Sequence, residues 1–385
     1  MIKVAVVKAD EYKYAEEAVR KSIDLLGGTE KFLKPGWKVL LKPNLLKGAA
    51  PEKCVTTHPS IVRAVITIVR EAGCTPVIGD SPGTGNSKWH SKKAGFQQVC
   101  EEMEVEWVDF ENDIIEVKDK TAFKNLTIAS AVMNADAVIN LPKVKTHGQI
   151  YLTLAVKNMF GIVPGIRKAQ WHLSSGKDLE NFCKMLVEIC YIKKPVLNIV
   201  DGITAMDGNG PGSGDPYQLG FIIAGEDPAA VDRTICDILR LKPSKVPTFK
   251  AAESLNLGVT DLSHIDIVGD DYSLAKVEDF KFTGQYLPGD MSSHPLVAGM
   301  IEMMKGGLTS KPWIDHETCT QCGQCVDHCP AVAMSLQKIG SNEKEKVIID
   351  YDPCIRCYCC NEICPEGAIS VKQGWMWKFV PDSFR

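Results

Sequence analysis

Cys319–Pro330 reads CTQCGQCVDHCP, and Cys354–Pro365 reads CIRCYCCNEICP. Both runs follow C-x2-C-x2-C-x3-C-P, in which three closely spaced sulfurs face one iron–sulfur cubane and the fourth, ahead of a proline, reaches toward another. The spacing assigns Cys319, Cys322, Cys325 and Cys364 to one [4Fe-4S] cluster, and Cys354, Cys357, Cys360 and Cys329 to a second. Zinc is the rival ligand, but its sites pair two C-x2-C knuckles or add histidine, whereas here the third cysteine and the Cys-Pro step recur in both runs. Cys359 is an extra thiol in the second run. Its neighbour Cys360 keeps the regular spacing, so Cys359 reads as a spare cysteine.

Working outward, Ile314-Asp315 precedes Cys319 by the offset at which Ile349-Asp350 precedes Cys354, and the segments after Cys329 and Cys364 also correspond. Each half reads as short strand, cysteine loop and helical turn. Residues 313–372 resemble a bacterial two-cluster ferredoxin, which implies a small α+β domain and electron transfer. A Gly- and Pro-bearing linker is expected over 281–312, with a short helix at Pro295–Met304. An aromatic tail with Trp375, Trp377 and Phe379 is expected over 373–385, docked on the N-terminal domain.

The other seven cysteines show no pairing pattern, and free thiols beside cluster thiolates suit a reducing compartment. The 385 residues are 45% hydrophobic and 24% charged, with net charge −4. That balance speaks against general nucleic-acid binding. No apolar run approaches the roughly 18 residues of a membrane helix, and the start MIKVAVVKADEY lacks a secretory pattern. A cytoplasmic protein, able to form a homo-oligomer, is the expectation.

Upstream, strand-like and helix-like segments alternate over residues 1–280. Strands are expected at Ile2–Val7, Val39–Leu41, Val77–Gly79, Val105–Phe110, Ala137–Leu141, Val196–Val200, Phe221–Ala224 and Ile265–Val268. Helices are expected at Glu11–Leu26, Pro59–Ala72, Lys177–Ile192 and Pro228–Leu239. The pattern predicts an α/β domain, a mostly parallel sheet with helices on both faces, whose ligands sit beyond the carboxyl ends of the strands.

That rule selects Lys42 and Asn44, then Asp80 and Ser81, then Lys143, Lys145 and His147, then Asp201 with the glycine-rich stretch from Asp207. Ala137–Lys177 contains no Asp or Glu but holds Lys143, Lys145, Lys157, Arg167, Lys168 and Lys177. Such a segment suits an anion, because lysine supplies point charge and backbone N–H groups supply direction. Lys143 and Lys145 alternate on a strand, so both ammonium groups face one side. Gly83-Thr84-Gly85 follows a strand, but Lys88 stands where a dinucleotide fingerprint needs its third glycine. His58, His147 and His172 are candidate proton donors. His147 is preferred, with Asp80 and Asp201 as further acid/base groups.

KPNLL, the THPS run at Thr57–Ser60, GDSPG, LPKVKTH, the VKNMFG run at Val156–Gly161 and Asp201-Gly202 resemble the domain-of-unknown-function 362 family, over about 270 residues. Its recurrent positions fall here on Lys42, Asn44, His58, Asp80, Ser81, Lys143, Lys145, His147, Lys157, Asn158 and Asp201. The resemblance implies an iron–sulfur protein of anaerobic metabolism, with no activity attached. The expectation is a ferredoxin-dependent reductase that passes electrons through two clusters to an anionic small molecule. A non-catalytic electron-transfer subunit, and a racemase or lyase with structural clusters, are the alternatives.

Overall fold

The computed structural model describes residues 1–83, 85–111, 113–165, 167–273, 275, 277–283, 310–338 and 345–374. The expected helix at Pro295–Met304 and the aromatic tail residues Trp375, Trp377 and Phe379 lie outside them.

Alternation along the strands sets the layers. In β1 (Ile2–Lys8), Ala5 and Val7 pack into one core while Val4 and Val6 pack into another across the sheet, as a two-residue side-chain period requires. β2 (Lys38–Pro43) repeats this, with Val39 and Leu41 on one face and Leu40 on the other. Helices Ala15–Leu25 and Pro59–Glu71 cover the first face. Helices Leu179–Ile192, Pro228–Ile238 and Pro247–Leu255 cover the second. Helix Pro59–Glu71 buries Ile61, Val62, Val65, Ile66, Ile68 and Val69, each contributing about 1.5–3 kcal/mol. It starts where His58 Nδ1 accepts the Ser60 N–H at 3.2 Å, with Pro59 in the first turn.

Along the chain follow β3 (Thr75–Ile78), β4 (Glu106–Trp107), a separate hairpin of β5 (Ile114–Lys118) and β6 (Asn125–Ala129), then β7 (Ala137–Leu141), β8 (Lys143–His147), β9 (Tyr151–Thr153), β10 (Leu197–Asp207), β11 (Asp215–Gly225) and β12 (Ile265–Gly269). The ten-stranded sheet runs β12-β1-β11-β10-β7-β2-β3-β4, with β8 on β10 and β9 on β8. Most pairs are parallel; β11 is antiparallel to both β1 and β10, and β9 to β8. The α/β class follows, a mostly parallel mixed sheet between helical layers.

Three of the expected strands differ most in extent from the observed ones. Instead of ending at Val200, β10 continues to Asp207 and turns through the glycine-rich stretch into an equally long β11, with a register shift between Gly202 and Thr204. A Cβ on Gly202 would lie 2.8 Å from the Phe221 carbonyl oxygen, so only glycine lets the ladder resume. Asp201 therefore sits inside a strand, not beyond its end. The expected strand Val105–Phe110 shrinks to Glu106–Trp107, which among the described residues pairs with β3 alone.

At the C-terminal end, β13 (Lys311–Ile314) pairs with β16 (Ile369–Lys372), and β14 (Met334–Lys338) with β15 (Glu345–Ile349), both antiparallel. The leading strand of each repeat thus pairs with the trailing strand of the other, which interleaves the two cysteine loops. Among the described residues no helix is long and apolar enough to cross a membrane.

Candidate functional site

Interleaving gathers the sulfurs into two sets. Cys319, Cys322, Cys325 and Cys364 line one small cavity with Ile314, Val347 and Ile369. Cys329, Cys354, Cys357 and Cys360 line a second with Met334, Ile349 and Tyr358. The Ala333 N–H donates to Cys329 Sγ at 3.2 Å. Burial, then the neighbouring Cys364, Cys319 and Cys322, pushes the Cys325 thiol up to about 11. Four sulfurs around an apolar volume fit a cubane, whose irons supply the positive charge that crowded thiolates need. Cys322 is exposed, whereas Cys354, Cys357 and Cys360 are buried.

The cysteine module is seated on the N-terminal sheet by polar contacts. Lys47 Nζ donates to the Cys364 carbonyl at 2.7 Å. Asn361 Nδ2 donates to Asn209 Oδ1 at 3.0 Å, and Asn209 Nδ2 to the Ile369 carbonyl at 3.1 Å. His147 Nε2, at the end of β8, lies 2.9 Å from Glu362 Oε1 on the short helix Cys359–Ile363. The Gln149 N–H occupies His147 Nδ1 at 3.0 Å, so the proton of the neutral ring sits on Nε2, the nitrogen beside Glu362. Burial lowers the His147 pKa. Burial pushes the Glu362 carboxyl up, but His147 and Lys157 outweigh it and hold it at about 2.

Between the two parts lies a cavity of about 640 Å³, within the range of small-molecule sites. Its walls include Asn44, Asp80, Ser81, Lys145, His147, Lys157, Asn158 and Lys168 from the sheet side, and Cys329, Pro330, Cys359 and Glu362 from the module. A thiolate of the second sulfur set therefore borders it. Cys359 faces this cavity and is absent from the lining of that set's own volume.

The amines of the wall are fixed in different ways. Lys42, which is absent from the cavity lining, stands behind the wall and pairs with Asp80 at 2.7 Å, both buried, and Asp80 Oδ2 also accepts the Leu45 N–H at 2.8 Å. A Cβ on Gly161 would stand 2.2 Å from Asp80 Oδ1, which explains the glycine ending VKNMFG. Lys145 Nζ donates to Asn44 Oδ1 at 2.7 Å and the Val55 carbonyl at 2.8 Å. Lys168 Nζ donates to Ser81 Oγ at 2.8 Å and the Pro82 carbonyl at 3.0 Å. With only neutral acceptors, burial lowers both Lys145 and Lys168 to about 7. Asn44 continues inward through Asn158, Asn140 and Asn198, a chain of buried amide hydrogen bonds of 2.7–2.9 Å that holds β2, β7 and β10 in register with the cavity floor.

Lys143, His58 and Asp201 gather elsewhere. Lys143 Nζ meets Asp201 Oδ2 at 2.9 Å and Tyr12 Oη at 2.7 Å. Asp201 also accepts the His58 N–H at 2.9 Å, and Tyr12 stacks on the His58 ring at 3.6 Å. Burial lowers the His58 pKa, Asp201 opposing it. These three residues are absent from the cavity lining, so Lys143 and Lys145, two residues apart, serve different clusters.

Residues 39–237, just over half of the chain, match the family described as Domain of unknown function (DUF362). The chain belongs to the DUF362 family. In this DUF362 protein residues 311–365 also match a 4Fe-4S dicluster domain, which makes it an iron–sulfur protein of the 4Fe-4S type. It is 40% identical over 283 residues to the thylakoid-associated protein sll1697 of Synechocystis sp., covering 71% of this chain and 88% of that protein. Distant overlaps with solved structures are a lactate racemase apoprotein from Thermoanaerobacterium thermosaccharolyticum (TM-score 0.42, 10% identity, 64% of this chain and 58% of that one) and a Thermotoga maritima protein (TM-score 0.40, 13% identity, 61% of each). The chain thus spans about three fifths of each of those structures.

Sequence reasoning on this DUF362 chain selected Lys145, Lys157 and His147 but passed over Glu362, Lys47, Tyr12 and Thr153. Lys168 was legible only as a member of the acid-free stretch, and His172 only as one of three candidate proton donors. Glu362 carried no signal, since it lies between two ligand cysteines whose spacing leaves its identity open.

Proposed function

We propose that this protein is a redox enzyme that brings two [4Fe-4S] clusters to the edge of a cavity holding an anionic small molecule, with electrons supplied by a partner protein such as a ferredoxin. One observation carries the reading: Cys329 of the second sulfur set and the amines Lys145, Lys157 and Lys168 line the same cavity. The clusters supply one-electron transfer; the chain's own residues do the rest. Lys145, Lys157 and Lys168 provide positive charge for the anion. His147 holds its Nε2 proton against Glu362 at the seam, beside the space where a ligand would accept a proton. The partner meets the loop bearing exposed Cys322, since no sulfur of the second set is exposed and three of its four are buried. Lys143, Asp201 and His58 keep β8 and β10 in place beneath this wall, a positioning role. A reducing, cytoplasm-facing setting is part of the proposal, and the relative's thylakoid association suits a surface contact.

The test is anaerobic stopped-flow. Holoprotein with about eight irons per chain is pre-reduced with dithionite and mixed with a panel of small carboxylate and phosphate acceptors. Acceptors that reoxidise the wild type should be slowed about tenfold or more by Lys157→Met at unchanged iron content. A panel that never reoxidises the protein, or does so equally well in the variant, overturns the reading.

A further inference from the structure

One wall of the cavity is built with polar atoms that find no partner among the described residues. Lys157 Nζ has no hydrogen-bond or ion-pair partner among the described residues; it lies over the Phe160 ring at 4.5 Å and near Phe182 at 5.9 Å. His172, 4% exposed, stacks on Phe182 at 4.4 Å and meets Phe160 edge-on at 5.8 Å, and its Nδ1 has no partner. The same two phenylalanines therefore hold Lys157 and His172 side by side. Thr153, 5% exposed, has an unpartnered Oγ1 and is the cross-strand neighbour of Lys145. All four residues line the cavity. Buried polar groups are normally paired, and each one left unmet costs about 1–3 kcal/mol.

We propose that this wall is an oxyanion subsite, in which Lys157, Thr153 and His172 receive the carboxylate or phosphate group of a ligand whose apolar body lies along Phe160, Leu173 and Ile363 toward Cys329. A neutral polar ligand would satisfy Thr153 and His172 but leave the half-buried Lys157 ammonium without a direct ion-pair partner. A cation would meet Lys157 directly. Glu362 faces the same space and its charge acts on Lys157, but its Oε1 lies 2.9 Å from His147 Nε2 and, among the described residues, it makes no direct pair with Lys157. An oxyanion alone answers all three groups, and the flanking Leu173, Phe160 and Ile363 have no use for a wholly polar molecule. Burial keeps the His172 ring neutral, at about 3, so that one of its nitrogens carries a proton to donate. The inference rests on the cavity being the ligand site of the proposed function and deepens it by naming the chemical class held there.

Anaerobic titration calorimetry on the full-length holoprotein, without reductant, tests it with benzoate, phenyl phosphate and the neutral isostere benzamide. At least one oxyanion should bind, about tenfold or more tighter than benzamide, as a charge-assisted contact implies. Lys157→Met should remove that advantage, and Thr153→Val should weaken the same oxyanion a few-fold, with iron content and thermal midpoint unchanged. Should Lys157→Met fail to fold, Thr153→Val and His172→Phe carry the test. Preference for benzoate assigns a carboxylate and preference for phenyl phosphate a phosphate; equal binding of both supports the shared oxyanion chemistry. Binding of neither, benzamide binding as tightly, or affinities untouched by the substitutions overturns the subsite. Calorimetry needs no electron, so an intact subsite with failed reoxidation sinks the redox reading alone, and the reverse result sinks the subsite alone.

Discussion

Lys145 and Lys168 link anion capture to proton capture. Burial holds each near 7, and a bound anion favours the charged amine, so binding draws a proton onto whichever lysine is neutral. The sign follows: anion affinity is greatest below about pH 7 and falls as pH rises through it, where the protonated form must be bought back. Benzoate titrations across that range should show the decline, and a flat profile would show that neither amine meets the ligand. Gly161→Ala tests the packing beneath. Its Cβ has no room beside Asp80, so the Lys42–Asp80 pair must shift and stability should fall by about 1–3 kcal/mol; an unchanged unfolding midpoint would refute that steric account. At this scale the cysteines were legible because ligand spacing is local. Glu362 and Thr153 were not, because their roles come from residues that meet them only across the fold.

Among the elements, β8 was foreseen as an alternating stretch with both lysines on one side, yet alternation says nothing about which carboxylate or amide waits there. Asp201 from β10 reaches Lys143, and Asn44 beyond β2 reaches Lys145. The length of β10 was hidden for a similar reason: Gly202 and the glycine-rich turn look like a strand end until β11 is alongside. Helices were better marked, as apolar periodicity and the Pro59 start show. Within helix Pro59–Glu71, Ile66→Ala should cost about 2–5 kcal/mol, since Ile66 is fully buried; urea unfolding measures it, and a loss below about 1 kcal/mol would mean that the site collapses or is less packed than described. At the seam, Lys47 brings positive charge to the Cys364 carbonyl. An electron added nearby is stabilised by that charge, so Lys47→Met should make the potential of the cluster in the Cys319, Cys322, Cys325 and Cys364 set more negative and leave the other nearly fixed. A redox titration followed by paramagnetic resonance decides it, and equal shifts in both signals, or none, would rule it out.

For the whole molecule, the α/β sheet and the repeated cysteine module were each readable in sequence, because each draws on its own periodicity. Their seating was not. It depends on Lys47, Asn209 and His147, scattered single residues without a pattern of their own. Removing iron with an anaerobic chelator should loosen this seating, because metal-ligated small modules draw folding stability from the metal. Hydrogen exchange should then rise together at 145–149 and 359–364, on both sides of the contact; exchange rising in the module alone would show that the sheet side is independent of it.

The cavity wall is shared, with Lys157 on one part and Cys329 on the other. Whatever lodges there is also mortar between two bricks: by thermodynamic reciprocity, a guest that prefers the closed joint must tighten it, and a tighter joint must hold the guest longer. Starved of iron, the chain would lose not just its wiring but half the room in which its guest is housed.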